Sequence, residues 1–479
     1  VAIKDLAERK KQESVPIYSL DNNLRLTIKP LIKAFSSGKK KIYELTLRSG
    51  RTIKASDNHP FYKLGGWHAL RDLRPGDLIA TPRELNPAKR EATLSDNELI
   101  LLAHLLGDGC ILPNQPFHYT SADLKNIEIV NKAAKELFSI NPRLVKQKNW
   151  WHVYLPSPYH LTHNKKHPIS IWFDKLKIEK VHSYDKILPE SMFSQPKEKI
   201  AIFLKHLWST DGNISWKTLK NRKPAAAIYY SSTSKKLIEQ IQHLLLRFGI
   251  QSIIRAVQKK SYRPNYNLHI QGSTNQLVFL KEIGSYGQRG EVTQDLMNAL
   301  EKIDPNVNLD VIPQEAWKLV VDVARIKAGL SMRALSSGIN VVYNGSALYK
   351  NGVGRERMYR LALALKSRAL EELAESHIYW DEVIDVKELG TEEVYDATIA
   401  ETHNFIANDI IVHNSIEQDA DLVMFLHRED EQKRSGIPSI ELIIAKHRNG
   451  PTGNIQFNMN TESLRFGITD KFHNDTEIL

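Results

Sequence analysis

Three consecutive residues near the C-terminal end, His413-Asn414-Ser415, have the side chains needed to break a peptide bond. An asparagine amide can attack its own backbone carbonyl, close a succinimide ring and cut the chain after itself. In an ordinary Asn-X bond this is slow. It needs the amide held against the carbonyl and a donor that polarises the oxygen. His413, directly before Asn414, is the candidate donor to that carbonyl, and His403 the candidate that helps activate the amide. Ser415 offers a hydroxyl nucleophile on the downstream side. A second pair, Asp108 and Asp211, ends two similar stretches 103 positions apart, LLAHLLGDG (101–109) and LKHLWSTDG (204–212). Each is an apolar run at helical spacing that stops at Asp-Gly, which predicts an internal pseudo-repeat of one unit.

The surrounding pattern indicates which elements carry these residues. In KIYELTLRSGRTIKA (41–55), Tyr43, Leu45 and Leu47 alternate with polar residues, and Ser49-Gly50 predicts the turn of a hairpin. RPGDLI (74–79) is a further turn and strand, and the polar stretch 84–96 reads as a linker. A helix follows, with Leu99, Leu102, Ala103 and Leu106 on one face, an Asp-rich start and Gly109 at its end. KEKIAIFLKHLWSTDG repeats the design. Strand-like WWHVYLPS and YNLHIQGS and the helical SKKLIEQIQHLLLRFG complete this part. Residues 301–375 are helical in composition, and SMRALSSGIN has the pattern of a helix–turn–helix that enters a major groove, or of a plain helical spacer. From His377 the pattern is β again, with Asn408-Asp409 predicted as the turn before IIVHN. Beyond Asn414 the chain changes character, and ADLVMFLHR and SIELIIAKHR are apolar runs suited to buried strands.

The 479 residues suffice for roughly three domains. The net charge of +11 is unevenly distributed: residues 97–375 carry 39 basic and 24 acidic side chains, an excess suited to a surface that meets phosphates. A single cysteine, Cys110, rules out an internal disulfide framework and favours a reducing cytoplasm. No secretory segment and no long uninterrupted apolar window occurs, so no membrane partner is expected. The chain opens without an initiator Met on VAIKDLAERK, and the expectation is that it continues upstream.

SDNHPFYKLGGWHALRDLRPGDLI near the start and VYDATIAETHNFIANDIIVHNS near the junction resemble two blocks of inteins, the self-splicing protein inserts. The resemblance implies an all-β, horseshoe-like (Hint-type) splicing domain made of residues 1–96 and 376–414. It also implies catalytic roles for Ser56 and His59 of the first block, for Asp396 and His403 of the second, and for His413, Asn414 and Ser415 at the exit. His59 would orient and polarise the upstream scissile peptide. Splicing itself would need no cofactor. Inteins begin with a nucleophile, usually cysteine, in a short block that is not found here, so the first acyl shift is assigned to a parent polypeptide, while cleavage at Asn414 needs no upstream group.

The two Asp-Gly stretches resemble the motifs of LAGLIDADG homing endonucleases. That resemblance implies an α/β nuclease over 97–300, with 301–375 as a helical accessory and candidate DNA-binding element, double-stranded DNA (the homing site) as partner, and Asp108 and Asp211 as catalytic, Mg²⁺-holding carboxylates. Ala103 and Gly107 supply the small residues that let two such helices approach, whereas His206 and Thr210 stand at the usually small positions of the second, a departure from the pattern that weakens the packing argument. Lys259 and Lys260 are further candidates for phosphate chemistry.

SIEQDADLVMFLHRED with IIAKHRNGPTGNIQFNM resembles the end of the RecA-like α/β ATPase domain of DnaB-type replicative helicases, which implies that residues 415–479 are the last strands of that domain. Lys446 and Arg448 would then reach the ATP of a neighbouring subunit, with ATP and Mg²⁺ as helicase cofactors. The implied setting is a homohexamer on single-stranded DNA working with primase in the bacterial cytoplasm at the nucleoid. No G-x-x-x-x-G-K-[ST] loop occurs in the chain. Two other readings compete: a basic insert that binds DNA without cutting it, and a hedgehog-like autoprocessing domain.

Overall fold

Two strands of 22 residues, Leu26–Leu47 and Ile378–Ile399, run antiparallel along most of their length, although more than 300 residues separate them in the chain. Residues 2–9, 15–85, 91–217, 225–258, 261–303, 309–343, 345–414, 422–428, 439–447, 450–451, 453–460 and 465–468 are described in the computed structural model. Pro16–Leu20 and Thr52–Ser56 flank the first long strand, and Leu78–Pro82 pairs with the start of the second, Pro82 opposite Ile378. The turn between Leu47 and Thr52 is closed by Leu47 and Gly50, with Gly50 at φ +86, as Ser49-Gly50 predicts. The long strands bulge at four places, which lets the ribbon bend and twist. A smaller sheet has the order Asn404–Ala407, Ile410–His413, Pro60–Lys63, Gly66–Ala69. Leu45, Phe61, Ile79, Val383, Ile399, Ile410 and Val412 form the core between these elements, each worth about 1.5–3 kcal/mol of burial.

The middle of the chain has a core of its own, centred on two neighbouring helices, Asp96–Gly107 and Lys197–Asp211. Ser95 and Glu98 cap the first reciprocally, so the cap is a serine capping box rather than the Asp-rich start expected, and the helix stops at Gly107, two residues early. Each helix runs directly into a four-stranded sheet. One contains Gly109–Cys110, His118–Ser121, Trp151–Tyr154 and Arg143–Lys146; the other contains Gly212–Lys217, Ala225–Ser232, Asn265–Ile270 and Ser252–Val257. In chain order both read first, second, fourth, third, so the pseudo-repeat inferred from Asp-Gly spacing is a repeat of topology.

A third core, around Trp317, Val321, Leu335, Met358, Leu361 and Leu370, belongs to short helices between residues 317 and 374. SMRALSSGIN supplies one of them, Met332–Gly338, capped by Ser331. The last four strands, Leu422–Arg428, Ser439–His447, Gly453–Asn460 and Arg465–Ile468, pair as an antiparallel meander. The chain is thus multidomain and rich in sheet. Among the described residues no helix is long and apolar enough to cross a membrane.

Candidate active sites

The first site forms where the smaller sheet ends. Strand Ile410–His413 is paired to Asn404–Ala407, with Asn404 opposite His413, and Val412 is opposite Phe61. This brings the loop at 400–403 beside residue 414, and the Asn414 N–H donates to the His403 carbonyl at 2.8 Å. Asn414 is 3% exposed, and among the described residues neither its Nδ2 nor its Oδ1 has a hydrogen-bond partner. A buried amide without partners costs about 1–3 kcal/mol, a cost usually tolerated only where the group is needed for something else. His413 Nδ1 donates to the Asn414 carbonyl oxygen at 2.6 Å. That oxygen belongs to the bond between 414 and 415.

His59 lies in the turn after Thr52–Ser56: its N–H donates to the Ser56 carbonyl at 3.1 Å, while Ser56 Oγ donates to Asn58 Oδ1 at 2.8 Å. Burial pushes the His59 imidazole down to about 4, helped by His413 and opposed by Asp396, so the ring is neutral at pH 7 and shares its surroundings with both. Asp396 is buried on the long strand opposite Phe35. The structure therefore gathers His59, Asp396, His413 and Asn414, with Ser56 one turn from His59. His403 meets Asn414 through its backbone carbonyl. Ser415 lies outside the described residues.

Two residues that sequence reasoning passed over complete this site. The Trp67 ring stands edge-on to His413 at 4.6 Å between centroids and limits how the imidazole can turn. Asn404, buried, accepts from the Leu20 N–H at 2.7 Å and donates to the Leu20 and Thr402 carbonyls at 2.8 and 2.9 Å. It fastens the loop that carries His403. Glu401 and His403 both have positive φ there, and such strain gathers at functional sites. "HNF" supplied the histidine; nothing in its spacing marked the asparagine as the clamp.

The second site lies where the two helices end. Gly107 faces Thr210: a Cβ on Gly107 would sit 2.1 Å from Thr210 Oγ1. The departure at Thr210 and His206 is thus compatible with close approach of the two helices. Gly107 makes room for the threonine, and His206 Nδ1 meets His104 Nε2 at 3.2 Å, with Tyr119 Oη 3.1 Å from His104 Nδ1. Burial drives both imidazoles down, His206 to about 4, so the seam holds a neutral hydrogen-bonded chain.

Asp108 and Asp211 stand together at the lower end of this seam. Burial, then the Asp211 charge, raises the Asp108 carboxyl to about 7, against the pull of Arg289 and Lys186; burial also raises Asp211. Lys186 and Arg289 were not anticipated. The Lys186 ammonium is buried and donates to the carbonyls of Leu105, Leu106, Gly107 and Gly109 at 3.1, 3.0, 3.2 and 2.8 Å. It closes the C-terminal end of the first helix, where the dipole favours a cation. Burial lowers it to about 8 while both aspartates pull it back up. Arg289 donates to the Ser209 carbonyl. In sequence Lys186 is one lysine among many, and only the fold sets it under the helix end.

Among the described residues no group of three or more His, Cys, Asp and Glu side chains converges as a ready metal cage. The aspartate pair still fits a hard dication that keeps several waters, because a cation would relieve the mutual repulsion that raises Asp108. Lys259, Lys260 and Arg448 lie outside the described residues. Lys446 is opposite Val423 in the terminal meander, a sheet separate from both sites.

Residues 1–414 match the intein splicing domain family, and residues 367–467 match the DnaB-like helicase C terminal domain. The replicative DNA helicase DnaB of Synechocystis sp. (strain ATCC 27184 / PCC 6803 / Kazusa) is 41% identical over 474 residues, 97% of this chain and 54% of that one. The replicative DNA helicase DnaB of Rhodothermus marinus is 37% identical over 478 residues, 97% of this chain and 50% of that one. The chain thus spans about half the length of the curated relatives it matches. Among solved structures, a mesophilic variant of the homing endonuclease I-DmoI is 15% identical over 42% of this chain and 97% of that one, with a TM-score of 0.30, too low for any argument below.

Proposed function

The chain belongs to the intein splicing domain family, and we propose that it cuts itself between Asn414 and Ser415 and carries a DNA-cleaving unit within the self-cutting one. The observation that carries the first part is the Asn414 amide, buried and without a partner among the described residues, beside a carbonyl that already accepts a hydrogen bond from His413. Asn414 Nδ2 attacks its own carbonyl carbon while His413 Nδ1–H stabilises the charge growing on the oxygen. The bond to Ser415 breaks, a proton lost from Nδ2 passes to the Ser415 nitrogen, and residue 414 is left as a succinimide. In a longer polypeptide with an upstream nucleophile, the Ser415 hydroxyl would first take over the upstream segment, with Ser56, His59 and Asp396 serving that step, and release at Asn414 would leave the flanks joined. Residues 1–96 and 376–414 would be the two halves of the horseshoe-like domain. Mass spectrometry of the expressed chain tests this: fragments 1–414 and 415–479 are expected, and none from Asn414→Ala. A chain that still splits there after that change overturns the assignment.

For the insert, 97–300 with 301–375 as accessory, the reading is a homing endonuclease of the LAGLIDADG class acting on double-stranded DNA. Asp108 and Asp211 would hold Mg²⁺, which when bound neutralises phosphate charge and activates water. Lys186 and Arg289 steady the carboxylates and the helix ends that present them. The basic excess of 97–375 suits the phosphate backbone. Incubation with an uninterrupted target and Mg²⁺ should give double-strand cuts; binding without cuts, unchanged by Asp108→Asn, would instead make the insert a DNA-binding module. Residues 415–479 are proposed as the end of a RecA-like helicase domain, with Lys446 and Arg448 directed at a neighbouring subunit's ATP in a hexamer.

A further inference from the structure

The nuclease unit also touches the self-cutting site at a distance. The turn Asn408-Asp409 joins Asn404–Ala407 to Ile410–His413, and both residues have positive φ, +49 and +58. Two-residue turns of this kind normally use glycine at the second position, because a Cβ there is strained. Here the strain is held by contacts from two sides. Asn408 Nδ2 donates to the Thr52 carbonyl at 3.0 Å, within the splicing domain. Asp409, buried, accepts at Oδ1 from His243 Nδ1 at 2.7 Å, and His243 lies on helix Lys235–Leu245 of the insert. Arg247, in the 3-10 turn Leu246–Phe248 that follows that helix, approaches His243 Nε2 at 3.4 Å and donates to it, which leaves the proton on Nδ1. Arg51 lies 3.9 Å from Asp409 and 3.8 Å from Asp381, so it supplies charge without a hydrogen bond.

The same face of the insert grips the neighbouring turn. The Ser49 carbonyl accepts from the Ile254 N–H at 2.9 Å and from Gln242 Nε2 at 3.1 Å, and a Cβ on Gly50 would sit 2.8 Å from Ile254 Cβ. That turn leads into Thr52–Ser56 and so to His59. The insert therefore braces the two turns that lead to the reacting residues.

We propose that His243 is a positioning residue for cleavage at Asn414: by holding Asp409 in its left-handed conformation it fixes the register of Ile410–His413, and with it the approach of Asn414 to its own carbonyl. A slip of one residue in so short a strand would turn every side chain to the other face. The inference rests on the self-cutting reading.

The experiment measures the rate of chain splitting at 414–415 in the full chain. His243→Leu should slow it at least about fivefold, in line with the loss of one hydrogen bond to a charged group, while site-specific DNA cleavage is unchanged. His243→Asn, which can present an N–H near Nδ1, should recover most of the rate. Asp409→Gly should split at the wild-type rate or faster, because glycine adopts the turn unaided, and His243→Leu added to it should change nothing further. Asp409→Ala keeps the strain without the hydrogen bond and should be slow; this comparison within the splicing domain stands even if His243→Leu fails to fold. Equal rates for Asp409→Ala and Asp409→Gly, or an undiminished His243→Leu defect in the glycine background, overturn the proposal. A wild-type chain that does not split, or an Asn414→Ala chain that does, overturns the self-cutting reading instead.

Discussion

The two candidate sites bury opposite kinds of chemistry. At the sheet end the Asn414 amide is enclosed in a cluster with the neutral His59 imidazole, next to its own carbonyl, which accepts from His413. At the helix ends two carboxylates are enclosed together, with Lys186 and Arg289 close by but burial and repulsion still raising Asp108 to about 7. A group that reacts once with itself can be buried uncharged and needs no entry path. Under the proposed nuclease reading, the buried carboxylate pair is held ready for a cation, which would relieve both the burial of its charge and its repulsion. One site stores strain in backbone geometry, the other in charge.

The comparison is broken most severely by removing the reacting groups. Asn414→Ala should lower splitting at 414–415 by about a thousandfold or more while DNA cleavage is untouched, and Asp108→Asn should do the reverse, both read in one preparation by mass spectrometry and plasmid cutting. Next, His413→Ala removes the donor to the scissile carbonyl and should slow splitting about a hundredfold, with the fragment masses unchanged.

The charge contrast gives a pH test. With Asp108 raised to about 7, its carboxylate is half protonated near neutrality, so DNA cutting at low Mg²⁺ should fall as pH drops through about 7. Added Mg²⁺ should move that midpoint down, because the cation binds the ionised form. The stability sign runs the other way. A raised carboxyl contributes stability that is present below the ordinary carboxylate range and lost as pH rises towards about 7. In the absence of Mg²⁺, Asp108→Asn should therefore melt about 2–4 °C above wild type at pH 8, and the gap should close towards pH 4. The smallest effect tests the seam: Gly107→Ala, facing Thr210, should cost about 1–3 kcal/mol in denaturant unfolding, and Thr210→Ala should restore most of it.

How far the sequence reached follows from what spacing can encode. Apolar periodicity gave both seam helices, the Ser49-Gly50 hairpin and the Asn408-Asp409 turn, because these are set by residues a few positions apart. From His377 it marked β character without showing that Ile378–Ile399 is one continuous strand, bulged where Gly390 takes φ +109. Asp108 and Asp211 were legible because each ends a helix. Lys186, Arg289, Trp67 and Asn404 were not, since each matters through a partner distant in sequence and has no local signature. How the departures at His206 and Thr210 are accommodated was not legible for the same reason: the glycine that makes room for Thr210 sits on the other helix.

The long ribbon carries one more implication, for the nascent chain. Strand Leu26–Leu47 cannot meet Ile378–Ile399 until more than 300 further residues have been made. At about 5–20 residues per second, synthesis imposes a wait of some tens of seconds. Meanwhile the intervening unit, whose helix pair and sheets draw only on its own residues, can finish on the ribosome. The insert thus sets a clock: the blade is sharpened last, after everything it encloses has taken shape.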